Sequence, residues 1–370
     1  MENDQLIGRI AFASMRGMNR LMAEELLART GDEMRFFDMT ESQLSSVMMT
    51  RSRLFSDDYR RRVLERARRE ADFLASTPSV RPLYFTDADY PKRLAVADDA
   101  PLMLYSCGNA DLNRGRMVSV VGTRHATPYG VDFVNHLVAD LAEMMQDPLT
   151  VVSGLAFGID AAAHSASLKN KVPTVGVLAH GLHMIYPAQH RSLAADMVRN
   201  GGGLLTEFGS SDAIHKGNFV ARNRIVAAMS DLTIVAESAK KGGALITARL
   251  AYDYGRDVAA LPGRSSDRYS SGCNALIANN MAALIESAED VLKLMGWPEA
   301  EAVEQQPSLF VELGDDEQKI VDFLTEKGEG TINQLSVATN INVGKIMSIL
   351  IDMEFKGLVL NFPGGKYRLA

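Results

Sequence analysis

The run Met117-Val118-Ser119-Val120-Val121-Gly122-Thr123-Arg124 decides how this chain is read. Its β-branched centre at 118–121 has the composition of a buried strand. It stops on a glycine, a hydroxyl and a guanidinium, and Thr127 then Pro128 follow. Threonine suits a helix N-cap and proline the first helical position, so a helix starts there. The same rhythm recurs at 150–153, 174–179, 203–207, 232–236 and 258–261, with helical patterns filling the intervals. Strands alternating with helices predict parallel pairing through crossover helices. The expectation is an α/β fold with a doubly wound, Rossmann-like parallel sheet ending near residue 295.

Outward from this block the character of the sequence changes. Residues 1–76 repeat apolar residues at helical spacing, as in Leu6 and Ile10 or Leu21, Leu26 and Leu27, with Gly17 and Gly31 as punctuation. They predict a small helical domain. Its last helix carries Arg51, Arg53, Arg60, Arg61, Arg62, Arg66, Arg68 and Arg69 against Asp57, Asp58, Glu65 and Glu70, which reads as a solvated face or as a nucleic-acid contact. Residues 77–111 hold Pro78, Pro82, Pro91 and Pro101 and predict an extended connector docked on the α/β domain of 77–295. Residues 296–312 combine two prolines with several acids and read as a flexible linker. Residues 313–370 predict three helices and a hairpin around Pro363-Gly364-Gly365, the order of a winged helix. Only Lys345 and Lys356 stand on its third helix, so DNA reading, protein contact and domain support all remain open for it.

Composition narrows the function classes. The chain is 46% hydrophobic and 23% charged, which supports a sizeable core and argues against global disorder. A formal charge of −7 argues against wholesale adhesion to a polyanion, so any phosphate-binding surface has to be local. Cys107 and Cys273 are far apart and form no metal-spaced motif, which points to a reducing compartment, the cytosol, and to no structural metal. No stretch approaches 18 uninterrupted apolar residues, so no membrane partner is expected.

In a doubly wound sheet, ligands bind beyond the carboxyl ends of the strands, where helix N-termini present free N–H groups. Gly122-Thr123-Arg124 sits at such an end and reads as an anion nest or as a plain tight turn with a surface arginine. Ser153-Gly154 begins a second small, polar, Gly-rich turn that runs to Asp160. Lys216 to Arg224, with Asn218, Phe219, Arg222 and Asn223 between them, opens a helix; Lys240-Lys241-Gly242-Gly243 follows the fifth strand. Six cations on one predicted edge exceed what one small anion needs, and a chain of phosphates fits better. Phe219 is either a platform for base stacking or an ordinary core residue. Of Arg222 and Arg224, which differ in helical face, one is expected to pair internally, with Glu207, and the other to face the ligand.

Enzyme signals are weaker. GxGxxG is absent at both strand ends, a Walker A motif is absent throughout, and Ser153 and Ser271 do not sit in GxSxG, so no nucleotide cofactor, ATP motor or hydrolase elbow is expected. Asp160 and His164, four apart, form a pair or two ligands of a metal without a placed third. A structural hydrogen-bonding role is expected for His164, His180 and His183.

The succession VVGTRHATPYG, VVSGLAFGIDAAAH, GLHMIYPAQHRSL, GLLTEF, NFVARNRIVAAMSD, GGALITARLAYDYGRDVAALPG and SGCNALI resembles the DNA-processing protein A family, DprA or Smf, from about Thr86 to Val291. The resemblance implies a cytoplasmic, non-catalytic protein of natural transformation, competence and DNA recombination. Such a protein binds incoming single-stranded DNA, protects it and helps load RecA recombinase. It implies that Gly122, Thr123 and Arg124 match a phosphate-binding turn and that Lys216, Phe219 and Arg222-Asn223-Arg224 match a DNA-contacting segment. Lys241-Gly242-Gly243 stands where the family usually shows Ser-Gly-Ser, and Gly17-Met18-Asn19 departs from a Gly-x-Gly hairpin. A homodimer through residues 272–283 is also implied. The rival is a nucleotide-processing enzyme of the lysine-decarboxylase-like group. Its GGxGTxxE stretch has a counterpart at 242–249, but no carboxylate stands there to act as a base.

Overall fold

Asn19, Asp32 and Thr40 each accept a hydrogen bond from a backbone N–H three residues ahead and so start three of the first helices. These helices are α1 (Glu2–Ala13), α2 (Arg20–Thr30), α3 (Glu33–Asp38), α4 (Glu41–Met48) and α5 (Asp57–Ser76). They close on Phe12, Leu26, Phe36 and Leu44, with Phe12 and Phe36 edge to face at 5.3 Å. The arginines of α5 are largely consumed by the protein itself. Arg60 is buried and donates to the carbonyls of Phe36, Phe37 and Phe55, while Arg61 and Arg62 pair with Asp58 and Arg66 with Asp212.

The computed structural model describes residues 2–300, 314–355, 358–362 and 365–369. Two compact units, Met1–Glu301 and Ala302–Ala370, make up the chain. After α5 come β1 (Val80–Tyr84), α6 (Lys92–Ala95), β2 (Met103–Gly108), β3 (Arg116–Gly122), α7 (Pro128–Met144), β4 (Leu149–Ser153), α8 (Ile159–Lys169), β5 (Thr174–Val177), α9 (Arg191–Arg199), β6 (Gly203–Thr206), α10 (Lys216–Met229), β7 (Leu232–Glu237), α11 (Ala244–Asp253), β8 (Asp257–Ala260), α12 (Ser271–Ala278), β9 (Ala283–Leu284) and α13 (Ala288–Met295). The nine strands form one sheet in the order β1-β2-β6-β5-β4-β3-β7-β8-β9. Pairing is parallel from β6 to β9 and antiparallel at β1–β2 and β2–β6. The fold is therefore α/β with a mostly parallel sheet. The six expected runs fall on β3 to β8.

The expected extended connector is instead two strands and a short helix. Val80 and Tyr84 of β1 and Met103 and Tyr105 of β2 are buried in the same core as the N-terminal helices, so residues 77–111 join that layer to the sheet. Pro82 is tolerated because β1 is an edge strand.

Alternation along the strands covers both faces. Val118, Val120, Val151 and Ile234 pack with α7, α8, α13 and Trp297, whereas Val121, Val152, Val175 and Val235 pack with α10, α11 and α12. The chain steps outward from β3 through β4 and β5 to β6, and α10 then carries it back to β7 on the other side of β3. That reversal places a crevice at the carboxyl ends of β3 and β7.

The second unit has its own core. α14 (Asp315–Lys327), β10 (Gly330–Thr331), α15 (Ile332–Thr339), α16 (Val343–Phe355), β11 (Val359–Phe362) and β12 (Lys366–Leu369) enclose Ile320, Leu324, Leu335, Ile346, Leu350 and Val359. Thr331 caps α15 in a reciprocal box with Gln334, and the strands pair in the order β10-β12-β11. Lys345 is paired with Asp316 at 2.6 Å. Lys356, most of the expected linker and Pro363-Gly364 lie outside the described residues.

Ile234, fully buried on central β7, shares its core with Trp297, the single tryptophan. Ile234→Ala is expected to cost about 2–5 kcal/mol, read as a lowered urea midpoint of tryptophan fluorescence.

Candidate functional site

The crevice is built from the end of β3. Val121 pairs with Val235 but Gly122 with Glu237, a bulge that turns the chain out of the sheet. A side chain at Gly122 would meet Ile159 at 2.5 Å and the Glu237 carbonyl at 2.9 Å, so only glycine lets α8 and β7 close on this turn. The Thr123 N–H donates to the Glu237 carbonyl at 2.8 Å, and the Ile159 N–H donates to the Thr123 carbonyl at 3.2 Å. The buried Glu237 carboxylate accepts the N–H of Thr127 at 2.8 Å and the Thr127 hydroxyl, whose oxygen caps α7. An anion at this helix start opposes the positive end of its dipole. The turn is thus held from below and leaves Arg124 exposed above it.

The resulting groove has a volume of about 410 Å³. Its walls are Gly122 to His125, Gly154 and Ala156, Phe219, Arg222 and Asn223 of α10, and Ser238, Ala239 and Gly242 to Ala244 leading into α11. The floor is electrically self-contained. Arg222, 5% exposed, donates to the carbonyls of Gly154 and Val177 at 2.5 Å each. Asp160 accepts the N–H groups of Gly154 and Ala156 at 3.1 and 3.3 Å. Burial pushes the Asp160 carboxyl above its ordinary range, opposed by the field of Arg222 and by those amides.

Three expected ligand contacts are corrected by this geometry. Ser153 is buried and its hydroxyl donates to the Val120 carbonyl at 2.6 Å. Asn218 is 3% exposed and spends its amide on the carbonyls of Ala179 and Ala213. Arg222 is the floor and not the expected free cation. Its burial follows from its place on α10 directly over the ends of β4 and β5, where two carbonyls need donors. Arg224 pairs with Glu207, as expected for one of the two, and also donates to the Asp99 carbonyl. Asn223 lines the groove and accepts the Arg222 Nε–H at 3.2 Å. Gly154 lines it too, with its N–H and carbonyl both occupied within the floor.

The rim is different. Arg124, Lys216, Lys240 and Lys241 are exposed, and none enters an ion pair among the described residues. Lys216 lies one turn before Phe219 on α10, and Lys241 precedes Gly242 and Gly243 at the mouth of the groove. The guanidinium carbon of Arg124 is 5.6 Å from the centroid of the half-buried Phe219 ring. Tyr186, 48% exposed, meets the same ring edge to face at 5.9 Å. Sequence reasoning missed Tyr186 and Glu237. A lone aromatic in a loop has no periodicity to betray it, and a glutamate ending a strand looks like any surface acid.

Two of the three expected hydrogen-bonding histidines, His164 and His180, are occupied within the fold. His164 is buried with Nδ1 2.7 Å from the Thr174 hydroxyl, and burial holds its pKa down to about 3, so it stays neutral. His180 accepts the Tyr186 N–H and lies 3.0 Å from the Gly181 carbonyl; His183 is exposed. Among the described residues no group of three or more His, Cys, Asp or Glu side chains is arranged to hold a metal ion, and no helix is long and apolar enough to cross a membrane.

The chain matches the family model described as DNA recombination-mediator protein A over residues 81–296. It belongs to that family. The DNA processing protein DprA of Streptococcus pneumoniae is 40% identical over 206 residues, covering 56% of this chain and 71% of that one. Protein Smf of Escherichia coli is 31% identical over 296 residues, covering 76% and 75%. Among solved structures, DprA from S. pneumoniae superposes with a TM-score of 0.59 at 29% identity, over 79% of this chain and 94% of that one. DNA processing protein A from Helicobacter pylori, solved for its single-stranded DNA binding mode, gives 0.52 at 29% identity over 59% and 97%. The match to the recombination-mediator family contains every wall of the groove.

Removing the Glu237 carboxylate strands the N–H of Thr127 beneath the groove. Glu237→Ala is expected to cost about 1–3 kcal/mol, measured by thermal unfolding, with Glu237→Gln closer to wild type.

Proposed function

We propose that this protein binds single-stranded DNA, without catalysis and with little sequence preference, in the groove at the carboxyl ends of β3 and β7. The observation that carries the reading is Arg124 lying over the Phe219 ring beside exposed Tyr186, on a rim whose other cations, Lys216, Lys240 and Lys241, have no internal anion among the described residues. A cation over an exposed ring contributes about 0.5–1 kcal/mol, whereas a base stacked on an aromatic contributes about 1–3 kcal/mol. A base therefore displaces the guanidinium from Phe219 at a net gain, and the freed Arg124 turns to the adjoining phosphate, for which its fork is suited. Gly242 and Gly243, at the start of α11, let a phosphate approach backbone N–H groups and the positive end of a helix. With Gly122, Thr123 and Asn223 they complete the proposed contact set.

Family membership and the named binding mode of the H. pylori relative support the same reading. Within it, residues 1–76 form a helical domain, 77–295 the DNA-binding domain, and 313–370 a winged helix after the 296–312 linker. The protein works in the cytoplasm, in transformation and recombination, as a homodimer through residues 272–283 that delivers the strand to RecA recombinase. Nucleoside monophosphate hydrolysis is disfavoured because Asp160, the carboxylate facing this groove, is already committed to two backbone amides.

Fluorescence anisotropy with a labelled oligothymidylate tests the reading. Phe219→Ala is expected to weaken binding by about 1–3 kcal/mol and Phe219→Tyr to preserve it. Duplex of the same length is expected to bind more weakly than single strand, because its bases cannot reach the ring. Undiminished binding by both Phe219→Ala and Arg124→Ala would remove the groove from the account, and release of free base from AMP would restore the enzyme reading.

A further inference from the structure

The rim does not end at Arg124. His125, the next residue, also lines the groove, and its ring lies nearly parallel to that of Tyr269, at 9° with centroids 6.4 Å apart. Tyr269 comes from the loop between β8 and α12. Its carbonyl accepts the N–H of Ser238 at 2.5 Å, which fixes the loop against the groove wall, since Ser238 lines the same groove. The guanidinium carbon of Arg268 stands 5.6 Å from the Tyr269 centroid. His125 and Arg268 are exposed, Tyr269 is half-buried, and neither Arg268 nor His125 enters an ion pair among the described residues.

The arrangement repeats the first one. Arg124 over Phe219 and Arg268 over Tyr269 are two arginine–aromatic pairs with the same 5.6 Å separation, joined through the single peptide bond between Arg124 and His125. We propose that Tyr269, His125 and Arg268 form a second stacking station on the same track, so that a strand leaving Phe219 continues past His125 and lays a further base on Tyr269. The inference rests on the single-strand reading of the groove and extends it from one base platform to two. The chemistry is the same at both. A planar base takes the ring face that the guanidinium covers, and the arginine moves to a phosphate. The nearly parallel His125 ring shows that Tyr269 accepts a flat partner. No core function accounts for an exposed Arg268 over a half-buried tyrosine, since a surface cation over a ring contributes little to stability.

Length dependence tests this. Anisotropy titrations compare the full chain with its Tyr269→Ala, Tyr269→Phe and His125→Ala variants, using a short oligothymidylate that fills the Phe219 station and one several times longer. The expected result is a loss of about five-fold or more in affinity of Tyr269→Ala for the long oligonucleotide, a smaller loss for His125→Ala, retention by Tyr269→Phe, and unchanged affinity of both Tyr269 variants for the short one. Wild-type affinity of both Tyr269→Ala and His125→Ala for the long oligonucleotide overturns the second station and leaves the first intact. A wild-type protein that binds neither length overturns the groove reading itself.

Discussion

The buried guanidinium of Arg222 is the constraint on which the site depends. From α10 it reaches down to the carbonyls of Gly154 and Val177, at the ends of β4 and β5, and stands in the field of Asp160 on α8. One side chain thereby ties a crossover helix to two strands and to the start of another helix. A side chain at Gly154 would meet that guanidinium at 2.2 Å, so the arginine in this position requires the glycine. Because Arg222 fixes the first turns of α10, it also fixes Phe219 and Lys216 with respect to Arg124. Breaking a buried charge network from one side is costly, since the remaining charge keeps its desolvation without its partner.

Charge is divided by depth. Arg222 and Asp160, below the groove, bond to the backbone, and Arg224 pairs with Glu207, so these charges are spent within the fold. Above, cations without internal partners face solvent and keep their full attraction for an external anion. A protein with net charge −7 thus presents a local cationic rim without becoming sticky overall. The same division explains why a count of cations along the sequence overstates the contact set.

What was legible in the sequence follows from which signals survive folding. The β-branched runs of β3 to β8 declare themselves because strands buried on both faces must be apolar throughout. β1 and β2 hide behind Pro82 and Pro101, whose ordinary meaning is a linker, and β9 is only two residues long. At the site, Gly122, Thr123, Arg124 and Phe219 announce themselves by standing at a strand end or a helix start. Ser153, Asn218 and Arg222 looked equally available, because residue type does not say which way a side chain points. Tyr186, His125 and Tyr269 come from three separate loops, and only the folded chain brings them beside the groove.

The central claim is that four rim cations hold a sugar-phosphate strand over a neutralised floor. The dependence of oligonucleotide affinity on salt measures this directly, since each neutralised phosphate of a single strand adds about −0.7 to the slope of log K against log salt. Arg124, Lys216, Lys240 and Lys241 together predict a slope of about −3 that shrinks stepwise as each is replaced by alanine. A slope near zero, or one unmoved by losing all four, would contradict the account.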